Sequence, residues 1–423
     1  MEDNAVDNSD HNEPDSGGGE GLDEDEETDE EEQQFDISLA ASHSYMGAGL
    51  VAMSGRSVLE AGWVGRVPVV AHHGAVFPGE TVPMLLPHAH DAAVLASAIR
   101  NDKLFGLLCP DESGTMVSGY GVLCEVFEAG LVDGQDAPSS LTFKARANHR
   151  FRLLDMPKRS VPIHIYKRMR FVEVRVLPEV QPGAPLRHAR LASLDARRRA
   201  SRTTTPLDSH MRSMDAVVTP WPLFLYEIFD YQRMRQIIKD YFKTIMFDKL
   251  PEDPVSLSFW VASNLALSPR DRLALFVVDN ALLRLHMEVK LISRKSVLCC
   301  SSCMGEIARR EHIFAMSSEG VHSNYTNLGG YMHDIVTVST AINTELNGAP
   351  SAEYSWFPGY TWTIALCVGC MAHVGWRFDA LKRNLRPQRF YGLCRNHVQP
   401  RAAAEPERSY TPPPPPPPLP PAS

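Results

Sequence analysis

The chain has 423 residues, 44% of them hydrophobic, and a formal net charge of −9. That length allows two or three domains with ordinary globular cores. Eight cysteines are too few for a disulfide framework at this size and point to a reducing compartment, and no apolar run approaches the ~20 residues that span a bilayer. The charge is unevenly placed. Residues 1–34 hold 16 Asp and Glu and no Lys or Arg, which leaves about +7 on the rest. This acidic stretch, poor in apolar side chains, is expected to be a disordered solubilising tail, without the basic apolar pattern of a signal peptide.

Order is expected from Phe35. Residues 67–86 read as short strands broken by Pro and Gly, and 87–101 as a helix with Ala and Leu at helical spacing. Residues 103–109, 117–128, 141–154 and 161–176 read as further strands. This succession predicts a β-rich domain over 35–180, a small barrel or curled sheet. Residues 181–216 form an Arg-rich linker or loop, including Arg197, Arg198 and Arg199. It could serve as an import signal or carry a kinase site at Ser201, but no aromatic residue interleaves to stack on bases, so nucleic-acid binding is not expected.

Residues 217–293 read as helical. Leu223 to Phe229 form one apolar-rich stretch, and Met234, Ile237, Ile238, Tyr241, Phe242 and Ile245 recur at three- and four-residue steps. A short helix is expected over Ser258–Leu267, and Ser268-Pro269 opens a last one over Arg270–Ile292. Residues 401–423 form a proline-rich tail, with Pro412–Pro418 favouring extended polyproline II.

The strongest chemical signal lies in residues 294–400. Two Cys-x-x-Cys knuckles, Cys300/Cys303 and Cys367/Cys370, supply the four thiolates of a closed tetrahedral zinc site. Their wide separation predicts one structural zinc stapling two distant hairpins of a β domain. Cys299 is the neighbouring alternative ligand, without the two-residue spacing. Trp356 and Trp362 flank a Pro-Gly turn and Trp376 follows the second knuckle, so three indoles tied to one scaffold can wall a small cage or fill a core.

Two resemblances rest on these residues. Val69, Phe77-Pro78-Gly79, Pro83 to Leu86, Leu104 to Leu108 and Gly119 to Val126 resemble the substrate-binding N-domain of Lon proteases. The chain has no Gly-x-x-x-x-Gly-Lys-Ser/Thr loop for ATP and no convincing serine–lysine protease dyad. Cys300-x-x-Cys303, Asn327, Tyr331, Ser355 to Trp362, Cys367-x-x-Cys370 and His373 to Phe378 resemble the cereblon family, substrate receptors of a cullin-4 RING ubiquitin ligase. That resemblance covers residues 35 to about 398.

It implies an α+β chain: a Lon N-domain-like β-rich domain, a central helical bundle and a zinc-containing β-tent (CULT) domain. It implies zinc on the four knuckle cysteines and a cyclic-imide site at Asn327, Tyr354, Trp356, Trp362, Trp376 and Phe378. There the imide bonds the backbone at Tyr354 and Trp356 and the side chain of Asn327. It further implies a non-catalytic role, with the helical block docking the ligase's triple-propeller damaged-DNA-binding adaptor. Cullin-4 and the RING subunit follow through that adaptor, with substrate proteins as cargo, in nucleus and cytoplasm and away from membranes. Tyr354 stands where vertebrate members have His, and Leu328-Gly329-Gly330 follows Asn327 where they have Pro-His-Gly.

Two other readings come from other classes. Cys367 to Gly375 and Cys394-Arg395-Asn396 resemble methionine sulfoxide reductase B, with Cys394 as the nucleophilic thiolate. An aromatic cage with Glu353 beside it could also read a methylammonium group.

Overall fold

The computed structural model of the protein describes residues 31–55, 58–130, 138–154, 161–181, 224–225, 230–245, 250–294 and 296–402. Most of the acidic tail, the Arg-rich segment, the proline tail and most of the Leu223–Phe229 stretch lie outside the described residues.

The chain enters as an arm. Strand β1 (Gln33–Gln34) runs parallel to the strand Leu385–Arg386 near the C-terminus. Phe35 then sits edge-on to Phe357 and Tyr360, and the short helix α1 (Ile37–Ala41) starts on Asp36, whose carboxylate accepts the Ser38 N–H. Residues 33–46, adjacent in sequence to the first β domain, therefore pack on the last one. The pull is aromatic: Phe35 and Ala40 are buried in a cluster with Tyr325, Trp356, Phe357, Tyr360 and Phe378.

A seven-stranded sheet follows. It takes β2 (Leu50–Ala52), β3 (Val64–Ala71), β4 (Thr81–Leu86), β5 (Leu104–Pro110), β6 (Val117–Gly130), β7 (Leu141–Leu153) and β8 (Arg170–Val176). Its order is β2-β6-β5-β3-β8-β7-β4, and β6 also pairs with β7, so five strands close into a small barrel. Val67, Val69, Leu123, Phe151 and Val174 are buried in one cluster of this unit. Gly106 and Gly121 lie against Phe151: a Cβ on either would fall within 2.9 Å of its ring, so the glycines make room for it. Helix α2 (Ala89–Asn101) lies in the crossover between the parallel strands β3 and β5. Residues 161–176, expected as one strand, divide: Pro162 makes a single bridge to Met116, Ile163–Tyr166 is a 3-10 turn, and strand β8 begins at Arg170.

The helical block holds α3 (Tyr231–Lys243), α4 (Pro254–Asn264), α5 (Pro269–Phe276) and α6 (Ala281–Ile292). Each begins on a side-chain cap, Asp230, Asp253, Ser268 and Asn280, accepting the N–H three residues on. These caps explain two departures from expectation. The helix expected over Ser258–Leu267 starts earlier, on Asp253, and ends at Asn264. The helix expected over Arg270–Ile292 breaks after Phe276 and restarts on Asn280.

Two buried arginines fasten barrel to helices. Arg150 Nε and Arg284 Nη2 meet the two oxygens of Glu179 at 2.6 and 2.9 Å. Both guanidinium groups lie over the Phe259 ring. A second junction ties in the C-terminal unit. Arg272 Nη2 meets Glu80 at 3.2 Å and Asp334 at 3.6 Å, and Arg395 meets Asp334 at 3.0 Å. Among the described residues no helix is long and apolar enough to cross a membrane.

The C-terminal unit has two sheets. The small one contains β9 (Ser296–Cys300) and β10 (Glu306–Arg309). The large one contains β11 (His322–Thr326), β12 (Met332–Val338), β13 (Thr344–Ser351), β14 (Tyr360–Cys367) and β15 (His373–Ala380). Then come β16 (Leu385–Arg386), partner of β1, β17 (Arg389–Cys394) of the large sheet and β18 (Val398–Ala402) of the small one. The orders are β10-β9-β18 and β11-β12-β17-β15-β14-β13.

A four-cysteine centre and an indole-walled pocket

Both Cys-x-x-Cys knuckles are hairpin turns. Cys300 ends β9 in its hairpin with β10, and Cys367 ends β14 in its hairpin with β15. The turns bring the four sulfurs together, all within 4.8 Å of one another. Cys300 and Cys370 Sγ are 3.7 Å apart, and Cys303 and Cys367 Sγ 3.5 Å. A tetrahedron with Zn–S bonds of about 2.3 Å has edges of about 3.8 Å, so the donor set fits zinc with no open position. Burial opposes ionising Cys300, yet hydrogen bonds from the Cys303 and Ser302 amides and from the Cys370 and Cys303 thiols outweigh it and bring this thiol down to about 7, while its partner Cys370 goes up to about 12. Cys299 points elsewhere, buried and outside the sulfur cluster. The four sulfurs join the small sheet to the large one.

The pocket is built on the pleat. Trp362 pairs with Phe378 and Ile364 with Trp376 across β14 and β15. Directly opposed residues share a face, as do residues two apart, so all four side chains lie on one side of the sheet. Gly375 permits the approach of β17 beside Trp376: a Cβ there would lie 2.1 Å from the Gly392 carbonyl oxygen.

Trp356 comes from the loop before β14. The Phe357 carbonyl accepts the Tyr360 N–H at 3.1 Å around Pro358-Gly359, with Gly359 at φ +91°. The Trp356 ring stacks on Tyr325, with centroids 5.2 Å apart, and its Nε1–H donates to the Thr326 carbonyl at 3.2 Å. It meets Trp376 edge-on at 4.8 Å. Trp362 Nε1–H donates to the Glu353 carbonyl at 2.8 Å, fixing the third indole to the same loop.

These walls enclose about 360 Å³, lined also by Asn327, Leu328, Gly329, Glu353, Tyr354, Ile364 and Phe378. All six expected ligand residues thus line one cavity. They do so differently: Trp356 and Phe378 are buried, Trp362 and Trp376 half-buried. Tyr354, at φ +54°, rests edge-on against Tyr45 of the arm. Asn327 Oδ1 accepts the Tyr331 N–H at 2.9 Å and its Nδ2 meets His333 Nε2 at 3.4 Å, so one amide hydrogen remains for a ligand.

Some supporting groups were not singled out from the sequence. Tyr325 backs Trp356, and His333 lies against both Trp356 and Trp376. Alternation along β11 and β12, where Tyr325 pairs with His333, was the available signal. Cys394 is 3% exposed, and burial, aided by Asp334, pushes its thiol up. That is the setting of an inert thiol, unlike an activated nucleophile.

Comparison with known proteins agrees with this geometry. Residues 66–294 match the family model of the ATP-dependent protease La (LON) substrate-binding domain, and residues 296–411 match Yippee zinc-binding/DNA-binding/Mis18, centromere assembly. The first match spans barrel and helices together. Protein cereblon of Xenopus tropicalis is 30% identical over 87% of this chain and 85% of its own length. Protein cereblon of Danio rerio is 31% identical over 86% and 88%. The chain belongs to the cereblon family. A cereblon-type chain therefore carries the Lon-like barrel with its helices, and a Yippee-type unit whose four-cysteine cluster suits zinc. A solved Lon N-terminal domain protein from Xanthomonas campestris aligns at TM-score 0.33 and 14% identity, covering 53% of this chain and 98% of that one.

Proposed function

We propose that this protein is a non-catalytic substrate receptor of a cullin-4 RING ubiquitin ligase, reading cyclic imides in its indole-walled pocket. The observation that carries the reading is the single cavity shared by Trp356, Trp362, Trp376 and Asn327. A glutarimide, or a chain terminus cyclised to an imide, is small, flat and neutral. Its methylenes suit indole walls, and its N–H and carbonyls need partners once desolvated, since an unmet buried polar group costs about 1–3 kcal/mol. The backbone at Tyr354 and Trp356 and the remaining Asn327 amide hydrogen supply them. A bound imide or degron then presents its protein for ubiquitination by the RING subunit and its charged partner enzyme.

One zinc in the four-thiolate centre holds this unit together. The helical block, with Val277 and Leu283 exposed, docks the triple-propeller damaged-DNA-binding adaptor, which brings cullin-4. The protein works in nucleus and cytoplasm. Affinity purification of the full chain tests the assembly: adaptor and cullin-4 are expected together, and the double substitution Val277→Asp and Leu283→Asp on the exposed helical surface is expected to remove both while imide binding persists. Co-purification by residues 296–423 alone would refute the docking assignment.

Glu353 at the pocket keeps a methylammonium ligand as the second reading. Titration with glutarimide and with trimethyl-lysine separates the two, and tight binding of trimethyl-lysine alone would replace the imide.

A further inference from the structure

Cys394 is poorly placed as a nucleophile, yet it lies among imidazoles. Cys394 ends β17, and the His397 N–H donates to its carbonyl at 2.9 Å across a turn. This Cys-x-x-His turn resembles the zinc knuckles in spacing. His373, at the start of β15, meets it from the neighbouring strand, its ring 5.4 Å from that of His397. One donor atom from each of His373, Cys394 and His397 lies within 4.8 Å of the others, the same limit that the four thiols meet.

We propose that His373, Cys394 and His397 form a second metal site, which takes Zn²⁺ in a three-ligand shell with its fourth position open to water or a small ligand. Two imidazoles and a thiolate form a donor set that zinc favours, and three protein ligands with an open place differ in kind from the closed four-thiolate centre.

The surrounding hydrogen bonds prepare the donors. His373 Nε2 lies 3.0 Å from the Gly375 carbonyl oxygen. A carbonyl only accepts, so Nε2 carries the hydrogen and Nδ1 keeps its lone pair. His397 Nδ1 is buried without a hydrogen-bond partner. Asn327 Oδ1 is engaged by the Tyr331 N–H, so Asn327 Nδ2 donates to His333 Nε2. His333 then carries its hydrogen on Nδ1, 3.9 Å from Cys394 Sγ, where it supports a thiolate and acts outside the ligand shell. When zinc binds, the Cys394 S–H bond breaks, an S–Zn bond forms, and the proton passes to solvent. His373 also meets Trp376 edge-on at 4.6 Å, so the metal would brace one wall of the pocket from behind.

The test is the metal content of the full-length protein equilibrated with Zn²⁺ and freed of unbound ion, read by elemental mass spectrometry. Two equivalents are expected for the unaltered chain. Cys394→Ser and His397→Ala are each expected to fall to one, with circular dichroism unchanged. His397 is half-buried, so its variant keeps the test open if Cys394→Ser fails to fold. One equivalent in the unaltered chain at saturating Zn²⁺, or two retained by a folded His397→Ala, would overturn the site. The measurement is independent of whether the pocket binds an imide.

Discussion

The barrel and the C-terminal unit each enclose a buried apolar cluster, but the C-terminal unit adds a second fastening. The barrel closes on itself around Phe151 and fills its interior with Val67, Val69, Leu123 and Val174, so apolar burial is available to hold it. The C-terminal unit leaves one face of β14–β15 lining an open cavity, and the indoles there cannot contribute full burial. Its small sheet is joined to the large one through four sulfurs. The comparison teaches that a unit leaving two indole walls half-buried gains from a fastening that does not depend on them.

The sharpest break in this contrast comes at the metal. Structural zinc contributes an apparent ~10–16 kcal/mol in small finger peptides, as large as the whole stability of a typical domain, about 5–15 kcal/mol. Cys300→Ser or Cys370→Ser is therefore expected to unfold residues 294–400 and abolish pocket binding, while barrel amides stay protected in hydrogen exchange. Well-folded protein carrying under half an equivalent of zinc would contradict this.

Next in size is a break on the other side. Glu179→Ala leaves the fully buried Arg284 without its ion-pair partner and the fully buried Arg150 with Asp279 alone. Removing one partner of a buried pair costs about 3–5 kcal/mol, discounted here because Glu179 keeps a quarter of its side chain exposed. Urea unfolding is expected to show the barrel and helices destabilised with zinc content unchanged. A midpoint equal to that of the unaltered protein would show that the joint is idle.

Trp362→Ala acts on the pocket alone. It is expected to weaken imide binding by about 3 kcal/mol, over a hundredfold, on the scale of aromatic hot spots. Because Trp362 is only half-buried, its melting temperature should move little. A large loss of stability with affinity retained would make it a core residue.

At neutral pH, where His43 is neutral in both states, the mildest effect joins the two regions through the arm and emerges only as pH falls. Burial, with Lys144 and Arg146 nearby, lowers His43 from its ordinary 6.5 to about 3. Between these values the unfolded chain binds a proton that the folded chain does not. The contribution of neutral His43 is thus complete above pH 6.5, falls as pH drops toward about 3, and is flat below. Melting temperatures of the unaltered protein should fall relative to His43→Asn across that window, and parallel curves would remove His43 from the account.

Much of this was legible in the sequence because local chemistry dictated it. Alternation and Pro/Gly punctuation gave most barrel strands, and two-residue cysteine spacing gave the sulfur cluster. The arm was not legible, because Phe35 finds its partners Phe357 and Tyr360 more than three hundred residues away. Helix boundaries slipped where a cap decided them, at Asp253 and Asn280. The Cys394–His397 turn carried a visible spacing, but His373 joins it only through pairing of β15 with β17.

The central claim is that the three indoles and their loop read an imide. Calorimetric titration of the full-length protein with glutarimide and with N-methylglutarimide tests it most directly. Methylation removes the N–H donor and adds bulk where the backbone must approach, while the ring's methylenes stay the same. The account expects saturable binding of the first and none of the second. Equal affinity for both would show that the pocket recognises only an apolar ring.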